Sequence, residues 1–538
     1  MINLIPLPEK IKQQKDIFSF EKKNATVCFS PRLSEIKKIV SVVLGCDFKE
    51  TEGSAVLNFV FDKSKEKEAY SLTVNKNGIE VLASGYEGAF YALQTVRQLF
   101  ETDLKNKKVL SAPFTEIEND SPRYEWRGLQ LDESRHFFGK ETVKKLLDFM
   151  AMYKLNVFHW HLTDDQGWRI EIKKYPLLTE IGSKRNASQL GNWNCLDMDY
   201  TSHEGFYTQE DIKEIVAYAK ERCIEIVPEI DFPAHSAAAL AAYNNLACRN
   251  IPCEVLTYFG EVVPFSKGIH DWNRTLCLGK DEVYSFVFDV IDEVAALFPF
   301  EYFHVGGDEA PRNEWKKCPL CQKKIKDENL KNEDELQGFF TNKLNEHLKA
   351  LGKTLIGWNE ILSAKGLDRD VVAQYWTLKK DPNVTKHLKK GGKIIMSCHN
   401  SFYFDMPHTQ AKVRNTYYFN PLKHNVPEAY MSEVLGLEGE NWTEWTDCEN
   451  ELFFKLSVRT LALAESAWST EKSKSFKDFC RRLQRHKFYF DALGIYYGHD
   501  EFTVNASVLK KTKKAKSLGI SVKNYDAEYE MDKLKRKK

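Results

Sequence analysis

Neither sign of charge prevails in this 538-residue chain, where 77 Lys and Arg balance 77 Asp and Glu. No broad basic field is available to a phosphate backbone, so nucleic acid is not an expected partner. No apolar run reaches membrane-spanning length, and no membrane span is expected. The opening Met1-Ile2-Asn3-Leu4-Ile5-Pro6 lacks the basic start, apolar core and small-residue cleavage site of a secretory leader. The chain is then either cytoplasmic or exported with its leader outside this sequence. A periplasmic or cell-surface location is the expectation. The 12 Cys include a single CxxC, Cys318-Pro319-Leu320-Cys321. No second pair at similar spacing and no nearby His ligands accompany it, so no metal is expected and all the Cys are read as structural or free thiols. Cys248 and Cys253 are close enough in sequence to close a small loop.

Aromatic residues are abundant: 11 Trp, 23 Tyr and 34 Phe. Such rings fill cores, and flat rings also line sugar clefts. The length exceeds one average domain. Residues 1–118 read as a small α/β domain of paired strands with helices on one face. Its strands are Ala25–Phe29, Ala55–Phe61, Ser71–Val74 and Ile79–Ala83. Asn75-Lys76-Asn77-Gly78 is a hairpin signal, and Tyr86–Phe100 has helical periodicity. From Trp126 strands and helices alternate. Eight strands are expected at Leu129–Leu131, Val157–His161, Ile224–Ile230, Tyr302–Val305, Thr354–Gly357, Val371–Tyr375, Lys393–Ser397 and Val434–Gly439. Eight such units argue for a (β/α)8 barrel, a TIM barrel, over residues 119–499. Residues 500–538 form an extension ending in the basic run Lys533–Lys538, expected to be solvated and mobile.

Active sites of such barrels lie at the C-terminal ends of the strands. Those ends here carry Asp132 to His136, His159 to Asp165, Glu229 to His235, Asp308 and Glu309, Trp358 and Glu360, Gln374 and Trp376, Tyr403 and Asp405, and Glu440 to Glu444. One such cluster would be an ordinary polar loop. Eight on one rim make a polar pocket with aromatic walls. At its centre is His304-Val305-Gly306-Gly307-Asp308-Glu309, where a strand ends, two glycines turn the backbone and two acids stand side by side. Crowded acids repel, which separates their pKa values and leaves one as proton donor beside an ionised partner. Taken alone, each residue has a plainer explanation: a solvated turn acid, a capping Asp, a core Trp. His159, His161 and His235 with an acid also admit a metal-dependent barrel hydrolase, and a glycan-binding protein without catalysis is a further alternative.

Seven ordered motifs resemble the β-N-acetylhexosaminidases, family 20 of the glycoside hydrolases. They are Arg127–Phe137, Asn156–Asp165, Pro228–His235, His304–Glu309, Gly357-Trp358, Tyr403-Phe404-Asp405 and Trp442-Thr443-Glu444. Ile5–Pro8 and Gly88–Thr95 resemble the small domain that precedes the family's barrel. Gly439-Glu440-Asn441 and Ser397–Asn400 depart from the family pattern. The resemblance implies a retaining exo-enzyme that removes terminal β-GlcNAc or β-GalNAc from a glycan, using the substrate's 2-acetamido oxygen as nucleophile and no cofactor. It implies that Glu309 is the acid and base, that Asp308 holds the acetamido N–H and that Tyr403 donates to the acetamido oxygen. Trp358, Trp376 and Trp442 would enclose the methyl group. Arg135, Asp405 and Glu444 would clamp the outer hydroxyls. His235 and Asp164 would hold and tune Glu309, with His161 behind them.

Overall fold

The computed structural model describes residues 2–100, 108–259 and 274–537. The N-terminal layer is a mixed seven-stranded sheet. In spatial order its strands are Ile11–Glu21, Val109–Asp120, Tyr70–Asn75, Gly78–Ala83, Leu57–Phe61, Thr26–Phe29 and Lys49–Glu50. The hairpin at Asn75–Gly78 forms, and the helix Tyr86–Leu99 buries Phe90, Leu93, Val96 and Leu99. Two strands of this sheet, Ile11–Glu21 and Val109–Asp120, carry no strong sequence signal. The first is an edge strand whose side chains alternate only weakly between core and water.

Eight parallel strands then close into a barrel: Trp126–Asp132, Val157–His161, Glu225–Glu229, Tyr302–His304, Thr354–Trp358, Val372–Tyr375, Lys393–Met396 and Val434–Gly439. Each coincides with an expected strand to within a few residues. Closure is made by Gly436–Gly439 of the last strand pairing with Trp126–Leu129 of the first. Amphipathic helices cover the outside. Gln209–Lys220 starts with a reciprocal capping box between Thr208 and Asp211.

The barrel interior holds charge. Glu229 accepts from His161 and, at 2.9 Å, from the Trp358 indole, and His304 Nδ1 lies 2.9 Å from it. Glu438 accepts from Trp126, His159 and Gln374 at 2.7–2.8 Å. These pairs satisfy buried groups that would otherwise cost several kcal/mol, of order 1–3 each.

The C-terminal extension is not a solvated, mobile tail. It forms helices Val508–Leu518 and Ala527–Arg536, which bury Ala515, Tyr529 and Met531. Glu528 accepts from the backbone N–H groups of His408 and Thr409. Lys510, Lys513 and Lys516 stay exposed, Lys511 pairs with Glu528, Lys514 and Lys535 with Glu501, and Lys533 with Glu530, while the sparse apolar positions pack, a pattern that net charge conceals. Lys538, the end of the basic run, lies outside the described residues. No helix among the described residues is long and apolar enough to cross a membrane.

Candidate active site

The strand ends set out above converge on one pocket at the C-terminal mouth of the barrel. Arg135, Asp164, His235, Asp308, Glu309, Trp358, Trp376, Tyr403, Asp405, Trp442 and Glu444 all line it. His161 does not. It is fully buried behind Asp164, with its ring nitrogens on Asp164 at 3.1 Å and on Glu229.

The turn after the fourth strand is built by glycine. Gly306 and Gly307 have φ of +66° and +95°. A Cβ on Gly306 would sit 1.8 Å from an Asp231 carboxylate oxygen. That carboxylate accepts the Gly307 N–H at 3.2 Å and so pins the turn from the neighbouring strand. Glu309 and His235 themselves hold positive φ, +47° and +48°. Non-glycine residues adopt this region at a cost of about 1–3 kcal/mol, a strain that gathers at functional sites.

The two adjacent acids leave this turn for different surroundings. The Asp308 side chain is 14% exposed and that of Glu309 is 52% exposed. Burial, opposed by His235 and reinforced by the charges of Glu309 and Glu360, pushes the Asp308 carboxyl up to about 7. His235 Nε2 faces both acids, 3.6 Å from Asp308 and 3.8 Å from Glu309. Its Nδ1 lies 3.1 Å from Asp164, which Arg135 meets at 2.7 Å. Burial works against charge on this imidazole, yet Asp164 and Asp308 hold it protonated well above the ordinary range. An Arg135–Asp164–His235 chain therefore runs from one wall of the pocket to the acid pair.

Three indoles and a phenol form the inner wall. Trp358 packs against Trp442 at 5.6 Å between ring centroids, and Trp376 stacks on Tyr403 at 6.0 Å. Glu229 fixes the Trp358 indole and Glu360 fixes that of Trp376. Tyr403 pairs with Glu440 in a single parallel bridge at the barrel rim. Burial, with Glu440, Asp405 and Asp308 nearby, keeps its phenol protonated and able to donate. At the other end Arg135 sits over the Trp442 ring and 3.8 Å from Glu444. Asp405 completes that end, its carboxyl pushed up to about 8 by burial and by Glu444. His235 Nε2, Asp308 Oδ1 and Asp405 Oδ1 are buried without hydrogen-bond partners. Buried polar atoms are normally paired, so three orphans on one pocket indicate groups kept for a polar ligand.

The histidines do not gather as one metal site. His159 lies between Glu229 and Glu438, and His161 spends both nitrogens on Glu229 and Asp164; of these three, His235 alone lines the pocket. Glu440, in the stretch that departs from the family pattern, turns into the barrel and accepts from Gln374 at 2.9 Å.

The pocket also uses residues for which no role was expected: Asp231, Trp193, His399 and Met406. Asp231 stood inside the Glu229–His235 stretch and could have been found from its place on the rim. Trp193 comes from an aperiodic loop between the second and third strands. Its indole donates to Tyr525 of the C-terminal extension at 3.0 Å.

Comparison with known proteins agrees with this geometry. The glycosyl hydrolase family 20 catalytic-domain model matches residues 124–471, and the family's domain 2 model matches residues 1–118. A β-hexosaminidase of Porphyromonas gingivalis is 37% identical over 526 residues, covering 92% of this chain and 64% of the relative. This chain thus spans under two thirds of that relative's length. A family 20 exo-β-N-acetylglucosaminidase of Vibrio harveyi, solved with N-acetylglucosamine, superimposes with a TM-score of 0.81 at 28% identity, covering 92% of this chain and 78% of that one. A mutant Streptomyces plicatus β-hexosaminidase, solved with its product GlcNAc, gives 0.78 at 29% identity, with 93% and 97% covered.

Proposed function

The chain belongs to glycosyl hydrolase family 20, and we propose that it is a retaining exo-β-N-acetylhexosaminidase whose nucleophile is the substrate's own 2-acetamido oxygen. One observation carries this reading. Two adjacent carboxyls at a single tryptophan-walled pocket are held in unlike surroundings, one enclosed with the aromatic wall and the other at the open mouth. A retaining enzyme with its own nucleophile needs two carboxyls facing each other across the scissile bond, about 5 Å apart. Neighbours issuing from one tight turn suit a different division of labour.

Asp308 in its ionised form accepts the acetamido N–H, and Tyr403 donates to the acetamido oxygen. Together they aim that oxygen at the anomeric carbon while Trp358, Trp376 and Trp442 enclose the methyl group and exclude water. As the oxygen–carbon bond forms, the glycosidic bond breaks. The departing oxygen takes the proton of Glu309, and positive charge spreads into the new oxazolinium ring beside Asp308. Water then attacks the anomeric carbon from the vacated face. Glu309 removes its proton and the ring opens, so two inversions give retention. His235, tied to Asp164, faces both acids, and its charge opposes the rise in the Asp308 carboxyl that burial causes. Arg135, Asp405 and Glu444 bind the outer hydroxyls and close that end of the pocket, which supports removal of one terminal sugar. The chemistry calls for no cofactor.

A panel of 4-nitrophenyl glycosides tests this reading. Terminal β-GlcNAc or β-GalNAc should be released with retention, and the matching β-glucoside should be nearly inert. Comparable rates on the glucoside would overturn it.

A further inference from the structure

Beside the active-site turn, four cysteines from three separate stretches meet. Cys318 and Cys321 flank the start of the helix Pro319–Asp327, a few residues after Glu309. Cys248 and Cys277 come from the long connection after the third barrel strand and supply the second pair that the sequence spacing hides. Cys277 Sγ lies 3.6 Å from Cys321 Sγ and 3.7 Å from Cys318 Sγ, and Cys248 Sγ lies 3.9 Å from Cys321 Sγ. All four sulfurs lie within 4.8 Å of one another.

These separations have a chemical meaning. A disulfide needs about 2.05 Å and pairs sulfurs two by two. Four thiolates around a tetrahedral zinc, each at about 2.3 Å, stand roughly 3.8 Å apart. The observed spacings match the edges of that tetrahedron. Cys277, Cys318 and Cys321 are buried and Cys248 is half-buried, so the cluster is closed as a structural site should be.

The surrounding chain is arranged to hold such a cluster. Cys277 begins a tight turn in which Lys280 N–H donates to Cys277 O at 3.1 Å. Gly279 in that turn presses on the CxxC backbone; a Cβ there would be 2.2 Å from the Leu320 carbonyl carbon. The Cys248 and Cys277 stretches are joined by a bridge between Ala247 and Leu276. Arg249 forks onto Glu314 at 2.6 and 2.7 Å, tying the Cys248 stretch to the helix just before the CxxC. Lys280 Nζ donates to Ala247 O at 2.8 Å and Asn250 Oδ1 at 2.6 Å, fastening this turn to the Cys248 stretch. The helix N-terminus at Cys318 offsets part of the two net negative charges of a zinc tetrathiolate.

We propose that Cys248, Cys277, Cys318 and Cys321 bind one zinc ion, which clips the connection after the third barrel strand to the segment that follows Asp308 and Glu309. The first of these also carries His235 and Arg274, and the Arg274 guanidinium pairs with Asp165 at 2.7 Å. The zinc is a positioning element for the rim of the pocket and takes no part in bond breaking.

The test is metal analysis of the reduced, full-length chain, with and without prior stripping by an organomercurial. About one zinc per chain is expected, released in step with the four thiols. Cobalt substituted for it should give the intense visible bands of a tetrahedral thiolate complex. Cys321→Ser should lose the zinc, and zinc removal should lower the melting temperature by more than about 5 °C while the released thiols become reactive. The cobalt spectrum and zinc count on the unaltered chain decide the matter even where Cys321→Ser fails to fold. A reduced chain that takes up no zinc, disulfides among these four residues in the protein as isolated, or iron in place of zinc would each overturn the proposal.

Discussion

Asp308 and Glu309 are neighbours in the chain and both face His235, but one is enclosed and the other stands at the open mouth, and their substitutions should fail in different ways. On the proposed roles, Glu309→Gln removes proton transfers worth about 10²–10⁴ in rate. That loss should shrink as the leaving group improves, because 4-nitrophenolate departs without a proton. Asp308→Asn removes the partner of a charge that develops whatever departs, so its cost of roughly 10²–10³ should hardly vary across aryl β-GlcNAc substrates. A rate series over leaving-group pKa for both variants checks this. The same residue sets a pH limit. Its carboxyl is pushed up to about 7 and must be ionised to accept the acetamido N–H, so kcat/KM should fall as pH drops through about 7. Glu360 contributes to that elevation. Glu360→Gln should therefore move the acid limb to lower pH, which a pH–rate profile of the two enzymes would show.

At the scale of elements, the turn after the fourth strand shows how much of the site was legible. Gly306-Gly307 followed by two acids, set at the end of a strand, located the chemistry because only that backbone can turn so sharply in so little space. Gly306→Ala would combine φ of +66° with a clash against the Asp231 carboxylate. We expect a loss of at least about 2 kcal/mol in denaturant unfolding together with most of the activity. The barrel strands were equally legible, since each is a short apolar run closed by polar residues. The strand Ile11–Glu21 was not, because an edge strand facing water carries the composition of a loop. Trp193 was missed for a related reason: an aperiodic loop gives no direction to a side chain, and only its packing against Trp445 and Tyr525 sets it in the pocket. The four cysteines escaped because their spacing is created by tertiary contact, not by sequence distance.

Over the whole molecule, the N-terminal sheet and the barrel are joined by buried charges. Lys154 from the barrel lies 3.2 Å from Asp120 and 4.3 Å above the Trp468 ring, and Trp468 donates to Asp120 at 3.0 Å. Arg127 at the start of the barrel reaches Glu68, in the turn before the sheet strand Tyr70–Asn75, at 2.6 Å. Breaking a buried pair on one side leaves the other charge stranded, at a cost of about 3–5 kcal/mol. Asp120→Asn should accordingly lower the stability of both units together, seen as one cooperative transition shifted to lower denaturant; separate transitions would show that the sheet and barrel are not energetically coupled. On the proposed function, the pocket at the barrel mouth takes an acetamido sugar that serves as its own nucleophile. The most direct test of that claim varies the nucleophile alone, by measuring kcat/KM on aryl β-glucosaminides whose N-acetyl methyl carries zero, one, two or three fluorines. Fluorine weakens the acyl oxygen as a nucleophile with little change in size, so the account predicts that log kcat/KM falls with every fluorine added. Rates that stay level across the series would contradict it.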